Sequence, residues 1–331
     1  MLLKHDPEII YCYLCQIVTG TASMKKMLYG LVITTALIFL YLCPADGFDA
    51  SLAGLLLWFQ TLVPTLLPLM ILSNLIINLG LIEPLMFLFA PIFRFLFGVG
   101  TNGSYALTVG FFCGYPMGAK VIADLTNEKQ ITLPEAQYLL GFCNNVSPMF
   151  IINFLVLEHL HKEELIIPTI VIIYGAPLLY GLFTGIRCRK QFRESTSLHT
   201  NTAPTTTLNF GLVDACIMNG IINITKLGGY IMLFAILAKI VLYLPISNAV
   251  IKAFLVGIME VTNGIHTISM ENASFTIQYL LLIAICSFGG LSSIAQTESM
   301  IHESGLRLSK YVISKLIITV IALALAACYL L

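Results

Sequence analysis

GFFCGYPMGAKVIADL, residues 110–125, decides the fold. The run from Ser104 to Ala123 is apolar enough for a membrane, yet its middle holds Gly114-Tyr115-Pro116-Met117-Gly118. Proline removes a donor and clashes with the preceding turn, and lipid offers no water to satisfy the freed carbonyls. The stretch therefore reads as two half-helices that dip into a bilayer and return. The ten residues Ser104–Cys113 rise about 15 Å as helix. That is half of a hydrocarbon core of about 30 Å, which sets the turn near the midplane.

Composition calls for the same solvent. Of 331 residues, 58% are hydrophobic and 10% charged, and 17 basic side chains balance 17 acidic ones. A soluble domain carries about 25% charged residues, so a large soluble enzyme is excluded. No basic surplus exists to displace counterions from phosphates, so nucleic acid is not a partner. Cys43, Cys113, Cys143, Cys216, Cys286 and Cys328 sit singly in apolar runs, as small hydrophobes. Cys12 and Cys15 form a lone CxxC without a second pair, and the HxH of Glu158–Glu164 lacks the spacing of a zinc hydrolase. Neither a metal nor a cofactor is expected. No nucleophile elbow, Walker loop or dinucleotide fingerprint occurs, so the chain is not read as an enzyme.

Along the chain, residues 1–26 form a polar tail whose true start could be Met24, and 27–331 form one membrane domain. Spans are expected at Leu28–Cys43, Leu62–Leu79, Pro134–Leu157 (broken at Asn144-Asn145-Val146-Ser147-Pro148), Leu165–Ile186, Leu227–Leu244 and a last one from near Leu308 to Leu330. Glu83–Phe97 and Val250–Met259 read as interfacial helices, Asn209–Asn223 as amphipathic, and 187–208 as a polar linker. The class is an all-α polytopic membrane protein with about six spanning helices plus interfacial ones.

Two internal matches suggest a repeat. Phe112-Cys113-Gly114 with Ala119 recurs 176 residues on as Phe288-Gly289-Gly290 with Ala295, and Thr101-Asn102-Gly103 recurs 161 residues on as Thr262-Asn263-Gly264. The first repeat would cover about 50–186 and the second about 209–331, with Gly289–Ser293 as the second hairpin tip. Three crossings separate the starts, so the second copy is inverted. An inverted repeat with two re-entrant hairpins marks a secondary transporter. With a cytoplasmic N-terminus, Lys25, Lys26, Arg94, Lys129, Arg187, Arg189, Lys190 and Arg193 fall inside, and Lys162, Lys252, Arg307 and Lys310 outside.

The candidate solute-binding residues are those that break or charge the apolar runs. Lys120 is a cation within a hairpin; it either meets an anion or pairs with Asp124 one turn on. Asn144, Asn145 and Ser147 offer polar groups at a helix break, or satisfy the freed backbone themselves. Gly114, Tyr115, Pro116 and Gly118 form the first tip; Gly290, Ser292, Ser293 and Gln296 form the second. Glu298 and Glu260 are candidates for a coupling ion, against a water-facing rim and a helix cap respectively. Lys226 and Lys239 are expected to snorkel, whereas Lys315 lies one to two turns inside the last helix.

GFFCGYPMGAKVIADL, LGFCNNVSPMFIIN (140–153) and FGGLSSIAQT (288–297) resemble the nucleoside-recognition (Gate) membrane proteins, and within them the sporulation integral membrane proteins of YlbJ type. The fold is similar to that of concentrative nucleoside transporters. The resemblance implies a permease of a bacterial cell membrane or a forespore membrane, moving a small anionic metabolite by alternating access. Dipicolinate is its leading candidate. A non-transporting spore-envelope assembly protein and a nucleoside permease are the alternatives. The implied partners are a small-molecule solute and the lipid bilayer, with homo-oligomerisation left open.

Overall fold

The computed structural model describes residues 26–27, 29–196 and 208–331. Residues 1–25 of the tail, with its CxxC, and residues 197–207 of the linker lie outside them. Contacts divide the chain into two units, 1–50 and 51–331. The first contains α1 (Tyr29–Leu42) and the start of α2 (Pro44–Leu56). In the second, α2 runs through a π-helical segment (Leu57–Leu62) into α3 (Val63–Asn78). The widened turn precedes Pro64, whose missing N–H and ring disfavour a regular α-turn before it. Two short helices follow, α4 (Ile82–Met86) and α5 (Ala90–Phe97), the latter stopped by Gly98 at φ 73°.

Next come α6 (Thr101–Cys113), α7 (Met117–Asn127) and α8 (Leu133–Cys143), with a π-helical segment at Phe150–Leu160 beyond the Asn144 break. The remainder is α9 (Ile166–Thr196), α10 (Phe210–Leu242), α11 (Ala249–Met259), α12 (Val261–Met270), α13 (Phe275–Phe288), α14 (Gly290–Ile301) and α15 (Leu308–Leu330). The described residues are helical without a strand. Among the described residues, five stretches are long and apolar enough to cross a membrane: Pro44–Asn78, Glu163–Gly185, Phe210–Leu242, Phe275–Ile301 and Leu308–Leu330.

Several expectations need correcting. Leu28–Cys43 and Pro134–Leu157 do not appear as spans by length: Tyr29–Leu42 is short, and the second is cut at Asn144 into two short helices. The linker's first ten residues continue α9 to Thr196. The amphipathic 209–223 stretch and the span after it form one helix, α10, because no residue between them interrupts the backbone bonds.

The largest correction concerns the second hairpin. At the first expected tip, α6 and α7 form a packed helical pair that folds back around Gly114–Pro116. A Cβ on Gly110 would lie 3.2 Å from the Gly118 Cα and overlap the Cys143 carbonyl oxygen. A second pair that folds back is α11 and α12, which turn at Glu260, and there a Cβ on Gly264 would overlap the Gly257 Cα. Gly257 and Gly264 follow Gly110 and Gly118 by 147 and 146 residues, not by the expected 161 or 176. By contrast, α13 and α14 do not pack side by side.

Contacts at their two ends show that α13 and α14 together run the length of the bundle. At the start of α13, the Lys162 ammonium sits 3.8 Å over the Phe275 ring, beside the end of the Phe150–Leu160 segment. After α14, Arg307 donates its N–H to the Gln137 side chain (2.8 Å) near the start of α8. The Gly289 break thus bends a through-running helix. Asn102 at the head of α6 donates to the Gln130 carbonyl (3.1 Å), so the first hairpin is rooted at the α8-start end. Gln278 of α13 donates to the Glu271 carbonyl (2.7 Å), and His266 of α12 meets His159 at 5.9 Å, so the second is rooted at the other.

Candidate solute site at two helix breaks

Each hairpin tip closes over the break of a longer helix. Gly114 ends α6 at φ 81°, a conformation that only glycine adopts without strain. A Cβ there would lie 2.7 Å from the Ser147 nitrogen. Tyr115, whose bond to Pro116 is cis, donates its N–H to the Asn145 carbonyl at 2.6 Å. Gly118 lies so close that a Cβ would come within 2.8 Å of the Cys143 carbonyl oxygen. At the second break, Gly289 and Gly290 have φ of 90° and 73°. A Cβ on Gly290 would lie 3.2 Å from the Gly257 carbonyl oxygen in the other hairpin. The two arrangements touch, since a Cβ on Gly289 would meet the Tyr115 ring at 3.6 Å.

Asn144 ties the junction together. Its Nδ2 donates to Thr297 Oγ1 (2.9 Å) and Tyr311 Oη (3.1 Å), and its Oδ1 accepts from the Ala119 N–H (3.4 Å). One amide therefore bridges α7, α14 and α15. Asn145 Nδ2 covers the Phe142 carbonyl (2.7 Å), and its Oδ1 accepts from Lys315 Nζ (3.2 Å). Both amides satisfy the freed backbone and its neighbours, the second of the two roles expected for them. Ser147 Oγ accepts from the Phe150 N–H (3.3 Å) and so starts the helix beyond the break. On the other side, Gln296 donates to Ser292 (3.0 Å) and Ser293 to the Gly290 carbonyl (3.1 Å). No side chain caps the first turn of α14. The buried Ser287 hydroxyl has no partner among the described residues.

Lys120 points away from the tips. Its ammonium pairs with Asp124 Oδ2 (2.5 Å) and lies 3.4 Å from Asn74 Oδ1, while Asn74 in turn donates to Asn219 of α10 (3.1 Å). The pairing expected as the alternative for Lys120 is thus formed. Removing one charge of a buried pair strands the other, whereas removing both often costs little. Asp124→Asn should lower the melting temperature of purified protein more than Lys120→Met/Asp124→Asn does. Equal losses in the two would show that the pair does not hold the hairpin.

Glu260 caps α12, as the alternative to a coupling role had it. Its Oε2 takes the Asn263 N–H (2.8 Å), the Asn263 side chain (2.9 Å) and the Thr262 hydroxyl. Glu298 is partly exposed and lies 3.8 Å from His302 near the end of α14.

Sequence reasoning did not place Lys315 in the site. This lysine is 1% exposed, and its ammonium donates to the Asn144 carbonyl (3.1 Å) as well as to Asn145. Tyr311, Thr297 and Tyr174 were also missed; Tyr174 donates to the Phe111 (3.0 Å) and Val146 (2.8 Å) carbonyls and so binds the first hairpin to the break. Their common signal is a polar side chain inside an apolar span.

No protein-family model matches the chain, and no solved structure matches it. Among curated proteins it is similar to the sporulation integral membrane protein YlbJ of Bacillus subtilis (strain 168). The two are 28% identical over 312 residues, which cover 83% of this chain and 75% of the relative. Five helices fit to cross a membrane and an integral membrane relative together make this a multi-pass helical membrane protein related to a sporulation protein.

Proposed function

We propose that the chain is a permease that carries a small anion across the membrane by alternating access. The two hairpins form an inverted repeat, dip into the bilayer from opposite faces and close over the breaks of α8 and of α13–α14. Their rooting at opposite ends of the bundle supports this, and so does charge. If α13–α14 crosses, Arg307 and Lys310 move to the side that already holds Lys129 and the Arg187–Arg193 cluster, leaving Lys162 and Lys252 opposite. A nucleoside is the less favoured solute, because the Asn144 and Asn145 amides are engaged internally.

The observation that carries the anion is Lys315. The Lys120 charge is matched by Asp124, and Glu260 is offset by the amino end of α12, whose positive dipole and donors it faces. Lys315 meets neutral oxygens at the carboxyl end of α8, whose dipole offsets it in part, and no acid among the described residues lies beside it. A compact dicarboxylate such as dipicolinate fits that field, and the sporulation relative makes it the leading solute. Proteoliposomes should take up labelled dipicolinate saturably, and uridine should not compete. Absence of uptake of any small anion by folded wild-type protein would overturn the permease in favour of an envelope-assembly role.

A further inference from the structure

The break of α8 leaves carbonyl oxygens without helical partners, at the negative end of a helix dipole. In secondary transporters, unwound carbonyls and half-helix ends of this kind coordinate the coupling cation. Here the Lys315 ammonium lies on them, 3.1 Å from the Asn144 carbonyl and 3.2 Å from the Asn145 amide oxygen. The elements packed on α15 place no acid against it. On α8, Glu135 accepts the Gly100 N–H (2.9 Å) toward the far end, and on α14 Glu298 lies against His302. The α9 residues 166–185 and all of α13 contain no Asp or Glu. Cys143, at the end of α8 beside the break, is a fully buried thiol.

We infer that Lys315 is a tethered ammonium filling a monovalent-cation site at the α8 break, so that this protein binds no sodium or potassium there. The consequence for transport rests on the permease reading: solute movement would be independent of both ions. The site itself does not rest on it and is tested by melting.

Purified wild-type protein should melt at the same temperature in sodium, potassium and choline chloride. Lys315→Ala should melt lower and regain about 2–4 °C in sodium or methylammonium chloride relative to choline. Lys315→Met, which refills the space without charge, should gain nothing from any of these salts. Wild-type protein stabilised by sodium over choline would overturn the inference, even if Lys315→Ala does not fold. So would a folded Lys315→Ala indifferent to every cation. Neither result depends on whether the liposomes transport anything.

Discussion

Gly110→Leu should fail to assemble the first hairpin, with a loss of about 3 kcal/mol or more and little folded protein recovered in detergent. Overpacking a core typically costs about 1–3 kcal/mol because side chains can shift aside. At Gly110 the obstacles are backbone: the Cys143 carbonyl group and the Gly118 Cα. Relief would have to open α6 from both α7 and the α8 break. Gly264→Leu should behave alike, for its obstacle is the Gly257 backbone. Gly229→Leu supplies the control, since a Cβ there meets nothing within 4 Å. If Gly110→Leu melted where Gly229→Leu does, the close approach of hairpin to break would be wrong.

Asn144→Leu should be the most damaging change among the polar side chains. It leaves the Ala119 N–H and the Tyr311 and Thr297 hydroxyls without the amide that joins them. Unmet buried polar groups cost about 1–3 kcal/mol each. Thr297 retains its bond to the Ser293 carbonyl and the Ala119 contact is long, so about 2–5 kcal/mol in total is expected. Asn144→Asp keeps an acceptor for the Ala119 N–H and offers one to the Tyr311 hydroxyl, while the Thr297 proton stays on the Ser293 carbonyl, so it should keep more of the stability than Asn144→Leu. Melting curves of the pair decide the matter. Equal losses for Leu and Asp would show that the amide's shape, rather than its hydrogen bonding, holds the three helices.

The first tip and both breaks were legible because glycine, proline and asparagine inside apolar runs violate what lipid demands of a backbone. Gly114–Pro116, Asn144–Pro148 and Gly289 all interrupt helices where the sequence predicts. The second hairpin was hidden because its turn is a single extended glutamate, Glu260, between two good helical segments with no proline or glycine at the bend. Resemblance between Phe-Cys-Gly and Phe-Gly-Gly then drew the hairpin to a place where glycine only bends a helix. The TNG triplets misled similarly: one begins the first arm of its hairpin, the other the second arm. The Lys120–Asp124 pair obeys a four-residue helical spacing, so it was visible as an alternative. Lys315 has its partners 170 and 171 residues away on the main chain and one amide, and no spacing rule reaches that far.

Single cysteines in the loops at either end of the bundle give the most direct test of an inverted pair of hairpins. Lys129 lies at the root of the first hairpin, Asn272 at the root of the second, and His302 after α14. A membrane-impermeant thiol reagent should label Asn272→Cys in intact cells. It should reach Lys129→Cys and His302→Cys only after permeabilisation, with unsubstituted protein as the blank. Labelling of Lys129→Cys and Asn272→Cys from one side, or of His302→Cys together with Asn272→Cys, would contradict the account.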